Sequence, residues 1–147
     1  MFHIEKMTAD MESEVIDMVL EFYESNAVDH RVPKDILLRT FKDAVSSDPV
    51  LQGHVLMDKE NIAGFAYITE FYACEVGGRC IMLEELFIKP EARGRGFGSE
   101  YIQWLIQERP DVKRFRLEVT ECNIGASKLY ERLGFKYLNY KQMTFER

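Results

Sequence analysis

A chain of 147 residues, 46% apolar and 30% charged, is long enough to bury one core and reads as a single domain over residues 1–147. A net charge of −6 excludes a broad nucleic-acid surface, which needs a basic footprint, and suits a cationic substrate. No stretch is long and apolar enough to cross a bilayer, and the start, Met1-Phe2-His3-Ile4-Glu5-Lys6, lacks a signal peptide's basic head and apolar middle, so a cytoplasmic protein with no membrane partner is expected.

Phe2-His3-Ile4 starts a short strand, and Thr8-Ala9-Asp10 reads as a helix cap. Met11, Val15, Met18, Val19 and Phe22 recur at helical spacing, which predicts a helix over residues 11–23. After a break at Ser25-Asn26, Pro33 suits the first turn of a helix over residues 34–45, carrying Ile36, Leu37 and Phe41 and closed by Asp48-Pro49. The link over residues 25–32 is a candidate substrate loop. Residues 53–57 and 62–71 alternate as strands about the polar turn at 58–61. A two-residue turn at Gly77-Gly78 leads into a strand over residues 80–88. That turn sends Cys74 and Cys80 to opposite sides of the sheet, which disfavours a disulfide. Tyr72, Cys74 and Glu75 beside it are candidates for lining an acceptor pocket.

The run from Arg93 to Ser99 carries glycines at 94, 96 and 98 between that strand and a helix over residues 100–107, whose buried face is Tyr101, Ile102, Leu105 and Ile106. Tight backbone turns ahead of unpaired helix-start amides make a cradle for a phosphate or diphosphate, with Arg93 and Arg95 beside it. A P-loop needs Lys-Ser/Thr after the last glycine, and Ser99-Glu100 stands there instead. The dinucleotide spacing G-x-G-x-x-G is also absent. Further on, residues 114–119 alternate as a strand, Asn123 caps a helix over residues 124–133 that Gly134 stops, and residues 135–140 and 141–145 read as two short strands. His3, His30 and His54 are scattered without metal-ligand spacing, so no metal site is read.

Arg93-Gly94-Arg95-Gly96-Phe97-Gly98 matches the Q/R-x-x-G-x-G/A signature of the GNAT acetyltransferase superfamily. Leu117-Glu118-Val119, Asn123, Ala126, Leu129-Tyr130-Glu131 and Leu133-Gly134-Phe135 resemble its second conserved block, in matching order and spacing. The resemblance runs from Ile62 to the end. It implies a mixed α/β fold: a mostly antiparallel sheet, splayed between the strand before the glycine loop and the next one, with helices on both faces. It also implies acetyl-CoA, or CoA, as the co-substrate, and no metal. On this likeness the diphosphate sits on the amides of Arg95, Gly96, Phe97, Gly98 and Ser99, and the pantetheine arm runs beside Leu86, Phe87 and Ile88. Asn123 reaches the arm from the other side, with Ala126 on the same helix, and Tyr130 points its hydroxyl at the thioester sulfur.

Base candidates are Glu84, Glu85 and Glu118. Neighbouring strand residues face opposite ways, so Glu84 and Glu85 share a face only across a bulge. The segment from Leu83 to Ile88 resembles the Leu-Glu-Asp-aromatic strand of the polyamine acetyltransferases in this superfamily. That likeness ranks Glu84 first and Glu85, which replaces their aspartate, second. Glu118 comes third, by its likeness to a glutamate of the ribosomal-protein acetyltransferases. The implied activity is acetyl transfer to a primary amine of a small molecule or protein, by direct attack in a ternary complex. The alternative is a non-catalytic acyl-CoA-binding or regulatory module on the same fold. Homodimers are frequent in families of this kind.

Overall fold

The computed structural model describes residues 2–48 and 50–147. Strand β1 (Phe2–Lys6) leads through a short 3₁₀ turn into α1 (Glu12–Tyr23) and α2 (Lys34–Ala44). Strands β2 (Leu51–Asp58), β3 (Asn61–Ala73) and β4 (Gly78–Ile88) follow. Then come α3 (Phe97–Glu108), β5 (Val112–Leu117) and α4 (Ile124–Arg132). The five strands form one sheet in chain order, antiparallel throughout except that β5 runs parallel to β4. Among the described residues no helix is long and apolar enough to cross a membrane.

Each face of the sheet buries a layer of helix. Val15, Val19 and Phe22 of α1 and Leu37 and Phe41 of α2 pack on Val55, Phe65, Tyr67 and Phe87. On the opposite face Phe97, Tyr101, Ile102 and Leu105 cover Leu56, Ala66, Ile68, Ile81 and Leu83. The expected fold class holds, including the splay. β4 pairs with β5 only from Arg79↔Val112 to Leu83↔Leu117, so the remainder of β4 has a free edge on that side.

Several boundaries differ from the sequence expectation. Thr8 caps no backbone amide; its hydroxyl donates to Asp10, and Met11 lies in the 3₁₀ turn. Pro49 lies outside the described residues, and α2 ends earlier, at Ala44. The β3–β4 turn is four residues, 74–77, and not Gly77-Gly78, because the Ala73 carbonyl accepts from the amides of both Val76 and Gly77. Cys74 is therefore in an exposed turn and Cys80 in the core, each a free thiol. Ile106 is 40% exposed: the buried stripe of α3 runs through Phe97, Tyr101, Ile102 and Leu105. β5 starts and stops two residues before the expected 114–119.

The two strands expected in the tail are absent. A half-buried strand needs a ladder and a covering layer, and here Tyr137 is 69%, Met143 96% and Phe145 90% exposed.

Candidate active site

One residue breaks the alternation of β4. Tyr67 faces Glu85 while Ile68 faces Leu83, so Glu84 has no partner across the ladder and forms a β-bulge. The bulge re-aims everything after it. Leu83 packs under α3, yet Glu85, two residues on, accepts a hydrogen bond from the Tyr23 hydroxyl of α1. Phe87 joins the α1/α2 core, and Leu86 and Ile88 pack on the α3 side. Glu84 is exposed and accepts from the Thr69 hydroxyl at 2.7 Å.

Burial pushes the Glu85 carboxyl up to about 7, the Tyr23 hydrogen bond opposes that rise, and the neighbouring Glu84 charge adds to it. Glu118 is exposed and lines a second cavity, of about 580 Å³ beside the tail, which shares Tyr130 with the cleft described below. Tyr72, Cys74 and Glu75 lie at the opposite end of β4 from Glu85, where Glu75 bonds Arg114 and Tyr140.

After Ile88 the chain turns through Gly94 (φ +75°) and Gly96 (φ +88°), left-handed conformations that side chains resist, and Gly96 caps α3. The first amides of α3 have no acceptor within their helix and face a cleft. This cleft holds about 680 Å³ and opens beside the free edge of β4. Its near wall is Leu86, Phe87, Ile88, Arg93, Gly94, Gly96, Phe97, Gly98 and Ser99. Its far wall is Asn123, the N-cap of α4, with Ala126, Leu129 and Tyr130 of that helix. The apolar face of α4 is thus a cleft wall, which explains why none of its residues is fully buried.

Asn123 accepts from the Ala126 amide at 3.3 Å, which leaves its NH₂ group free to donate into the cleft. Burial pushes the Tyr130 phenol up to about 12, so it holds its proton at neutral pH. Unpaired amides, a free strand edge, one carboxamide and one protonated phenol fit a diphosphate followed by an amide-bearing thioester chain.

Of the residues expected to bind the cofactor, Arg95 alone is absent from this cleft. Its guanidinium pairs with Asp58 at 2.7 Å and lies 4.7 Å over the Phe97 ring. Arg93 folds back, donating to the Ile88 carbonyl at 2.9 Å and lying over Phe87. Sequence reasoning missed Arg132, which lines the cleft from the last turn of α4. Asn26 lines it too, from the link over residues 25–32 that the sequence marks as a candidate substrate loop. The Asn26 side chain donates to the Cys122 carbonyl at 3.2 Å, and its own carbonyl accepts from the Thr120 hydroxyl. These contacts tie the α1–α2 link across the mouth of the cleft. No local pattern signals a bond spanning more than ninety residues.

Residues 14–135 match the model of the acetyltransferase (GNAT) family. The chain belongs to that family. Curated relatives of this GNAT chain include a thialysine N-epsilon-acetyltransferase of Sus scrofa, 41% identical over 63 residues, 42% of this chain and 37% of the relative. Another is a spermine/spermidine N(1)-acetyltransferase of Bacillus subtilis (strain 168), 31% identical over 83 residues, 54% of each chain. The GNAT chain thus spans between about a third and a half of the length of these relatives.

Solved structures share the fold from end to end. A possible acetyltransferase from Clostridium difficile 630 superposes with a TM-score of 0.81 at 17% identity, over 99% of this chain and 97% of that one. AAC(6')-Iy in complex with the bisubstrate analog CoA-S-monomethyl-acetylneamine superposes with a TM-score of 0.80 at 17% identity, over 100% and 99%.

Proposed function

We propose that this GNAT chain transfers an acetyl group from acetyl-CoA to the primary amine of a small aliphatic molecule, by direct attack with both substrates bound. One observation carries this reading. A single cleft gathers the α3-start amides, the free edge of β4, Asn123 and Tyr130, while Glu85 stands beside Phe87 on the same strand. The names of the curated relatives, which describe acetylation of spermine, spermidine and thialysine, favour a small amine over a protein amino group.

An alkylamine with a pKa near ~10 arrives protonated and must shed a proton before it can attack. Glu85, poised near 7, takes that proton; Glu84, exposed and bonded to Thr69, serves to attract the cation. The amine nitrogen bonds the acyl carbon as the carbon–sulfur bond breaks. Tyr130 gives its proton to the departing sulfur and is reprotonated from the amine nitrogen, whose second proton is released as the amide forms. One proton therefore ends on the thiol, and the one on Glu85 returns to solvent.

Incubation with acetyl-CoA and a panel of amines, following free thiol, tests the reading. Tyr130→Phe is expected to lower kcat by about a hundredfold with CoA affinity held within about twofold. Unchanged turnover removes Tyr130 from the chemistry. CoA binding with no transfer to any amine favours the non-catalytic module.

A further inference from the structure

Two hydrogen bonds of opposite sense join Asn26 to the turn that precedes α4. Its Nδ2 donates to the Cys122 carbonyl at 3.2 Å, and its own carbonyl accepts from the Thr120 hydroxyl. The Cys122 thiol donates to that same Asn26 carbonyl at 3.5 Å. The turn itself is closed by the Asn123 amide, which donates to the Thr120 carbonyl at 3.1 Å. Asn26 therefore holds both ends of one tight turn. The Cys122 carbonyl shares a rigid peptide plane with the Asn123 amide, so gripping the carbonyl fixes the direction in which Asn123 leaves that plane. The connection is equally defined on its other side. α1 stops at Tyr23, and the Ser25 hydroxyl donates to the Phe22 carbonyl at 2.6 Å while accepting from the Ala27 amide at 3.1 Å. Ser25, Asn26 and Ala27 line the cleft together with Asn123, Gly125 and Ala126. β4 and β5 part beyond Leu83↔Leu117, so the Asn26 bonds close a side of the cleft that the sheet leaves open.

We propose that Asn26 is a positioning residue that works as a clasp: it sets Asn123 toward the thioester chain and shuts the α1–α2 link over that chain once it is bound. The clasp rests on the reading of the cleft as the acetyl-CoA site. Exposed neutral hydrogen bonds each favour the closed form by only about fivefold, so the empty clasp opens readily and admits a ligand. A ligand held by Asn123 and by the link touches both only when they are closed, and it favours that form by those contacts. It must then wait for opening before it leaves, so the clasp acts chiefly on the dissociation rate. α1 also carries Tyr23 to Glu85, so the closed link joins the helix that holds the carboxyl to the turn that carries Asn123.

The test measures acetyl-CoA dissociation by surface plasmon resonance on immobilised full-length protein. Asn26→Ala and Asn26→Asp are each expected to raise the dissociation rate by about fivefold, because aspartate keeps the size of asparagine and lacks its donor. Thr120→Val should do the same, and Thr120→Ser, which keeps the hydroxyl, should stay within about twofold of the unmodified protein. That rescue separates the clasp from mere packing. Iodoacetamide reads the clasp without a ligand: in a Cys74→Ser background, Cys122 should be alkylated about fivefold faster in Asn26→Ala. Acetyl-CoA should slow the same alkylation when Asn26 is present. Dissociation and alkylation rates that ignore positions 26 and 120 overturn the clasp and leave the reading of the cleft standing. An unmodified protein that binds no acetyl-CoA overturns the reading of the cleft, and the clasp with it.

Discussion

The glycine-loop wall of the cleft and the Glu85 carboxyl, which is not among the cleft's lining residues, use different physics. On the glycine-loop side the working groups are backbone amides, presented by two left-handed glycines and the start of α3. Their charge is partial and fixed, and no titration changes it. On the Glu85 side the working group is a buried carboxyl held by a tyrosine from another helix, and its charge state is a compromise between burial and hydrogen bonding. On the proposed reading the first holds its ligand at any moderate pH, and the second acts only where its proton balance permits. Binding and chemistry should therefore separate cleanly under mutation and pH.

The largest expected effect is from Glu85→Gln, which should lower kcat at neutral pH by at least about a hundredfold while calorimetry finds CoA binding unchanged. In the unmodified protein the proposed reaction's kcat/KM should rise with pH through about 7, as Glu85 loses its proton and becomes a base. A flat profile across that range breaks the contrast between the two regions.

Next in size is a pair of opposed stability effects. His54 is buried against Tyr101 and Trp104, and burial lowers its pKa from 6.5 to about 4. The unfolded chain binds this proton first, so His54 contributes stability that is lost as pH falls from 6.5 to 4. Glu85 has the reverse sign. Its carboxyl is raised from 4.5 to about 7, the folded state binds the proton first, and stability falls as pH rises through that window. Each is worth about 3 kcal/mol. Urea denaturation of the unmodified protein should therefore give a nearly level stability between pH 4.5 and 6.5. Glu85→Gln should unmask a rise with pH, and His54→Gln a fall. A level profile in His54→Gln would show that the carboxyl carries no such strain.

A smaller effect is expected at the backbone wall. Gly96→Ala forces a side chain into φ +88°, at a cost of about 1–2 kcal/mol. CoA affinity should drop by about tenfold, with the pH midpoint of kcat/KM unmoved. Smallest of all is Arg95→Ala. Its guanidinium is paired with Asp58 and turned from the cleft. CoA affinity should stay within about threefold, and stability within about 1 kcal/mol, the range of a surface ion pair. A larger loss of affinity would mean that Arg95 leaves Asp58 to meet the phosphates.

Legibility in the sequence followed the same division. Gly94, Gly96 and Gly98, the Asn123 cap and the Tyr130 face of α4 are local patterns, and all of them line one cleft. The choice of base draws on more distant parts of the chain. The likeness to polyamine enzymes puts Glu84 ahead of Glu85, whereas burial and the Tyr23 contact favour Glu85. Strict alternation also mistook the tail for strands, since a periodic pattern does not say whether a partner edge receives it.

What the amino-acid order determined alone is whatever acts within a few residues: helix periods, left-handed glycines, a cap and the amide-lined turn they form. Their energetics are those of neighbouring backbone. The structure alone decided what depends on distant segments meeting. The unpaired Glu84 turns the end of β4 over, and α1 then brings Tyr23 to Glu85 across 62 residues. Burial, which sets the charge of that carboxyl, belongs to the packed fold and to no stretch of sequence.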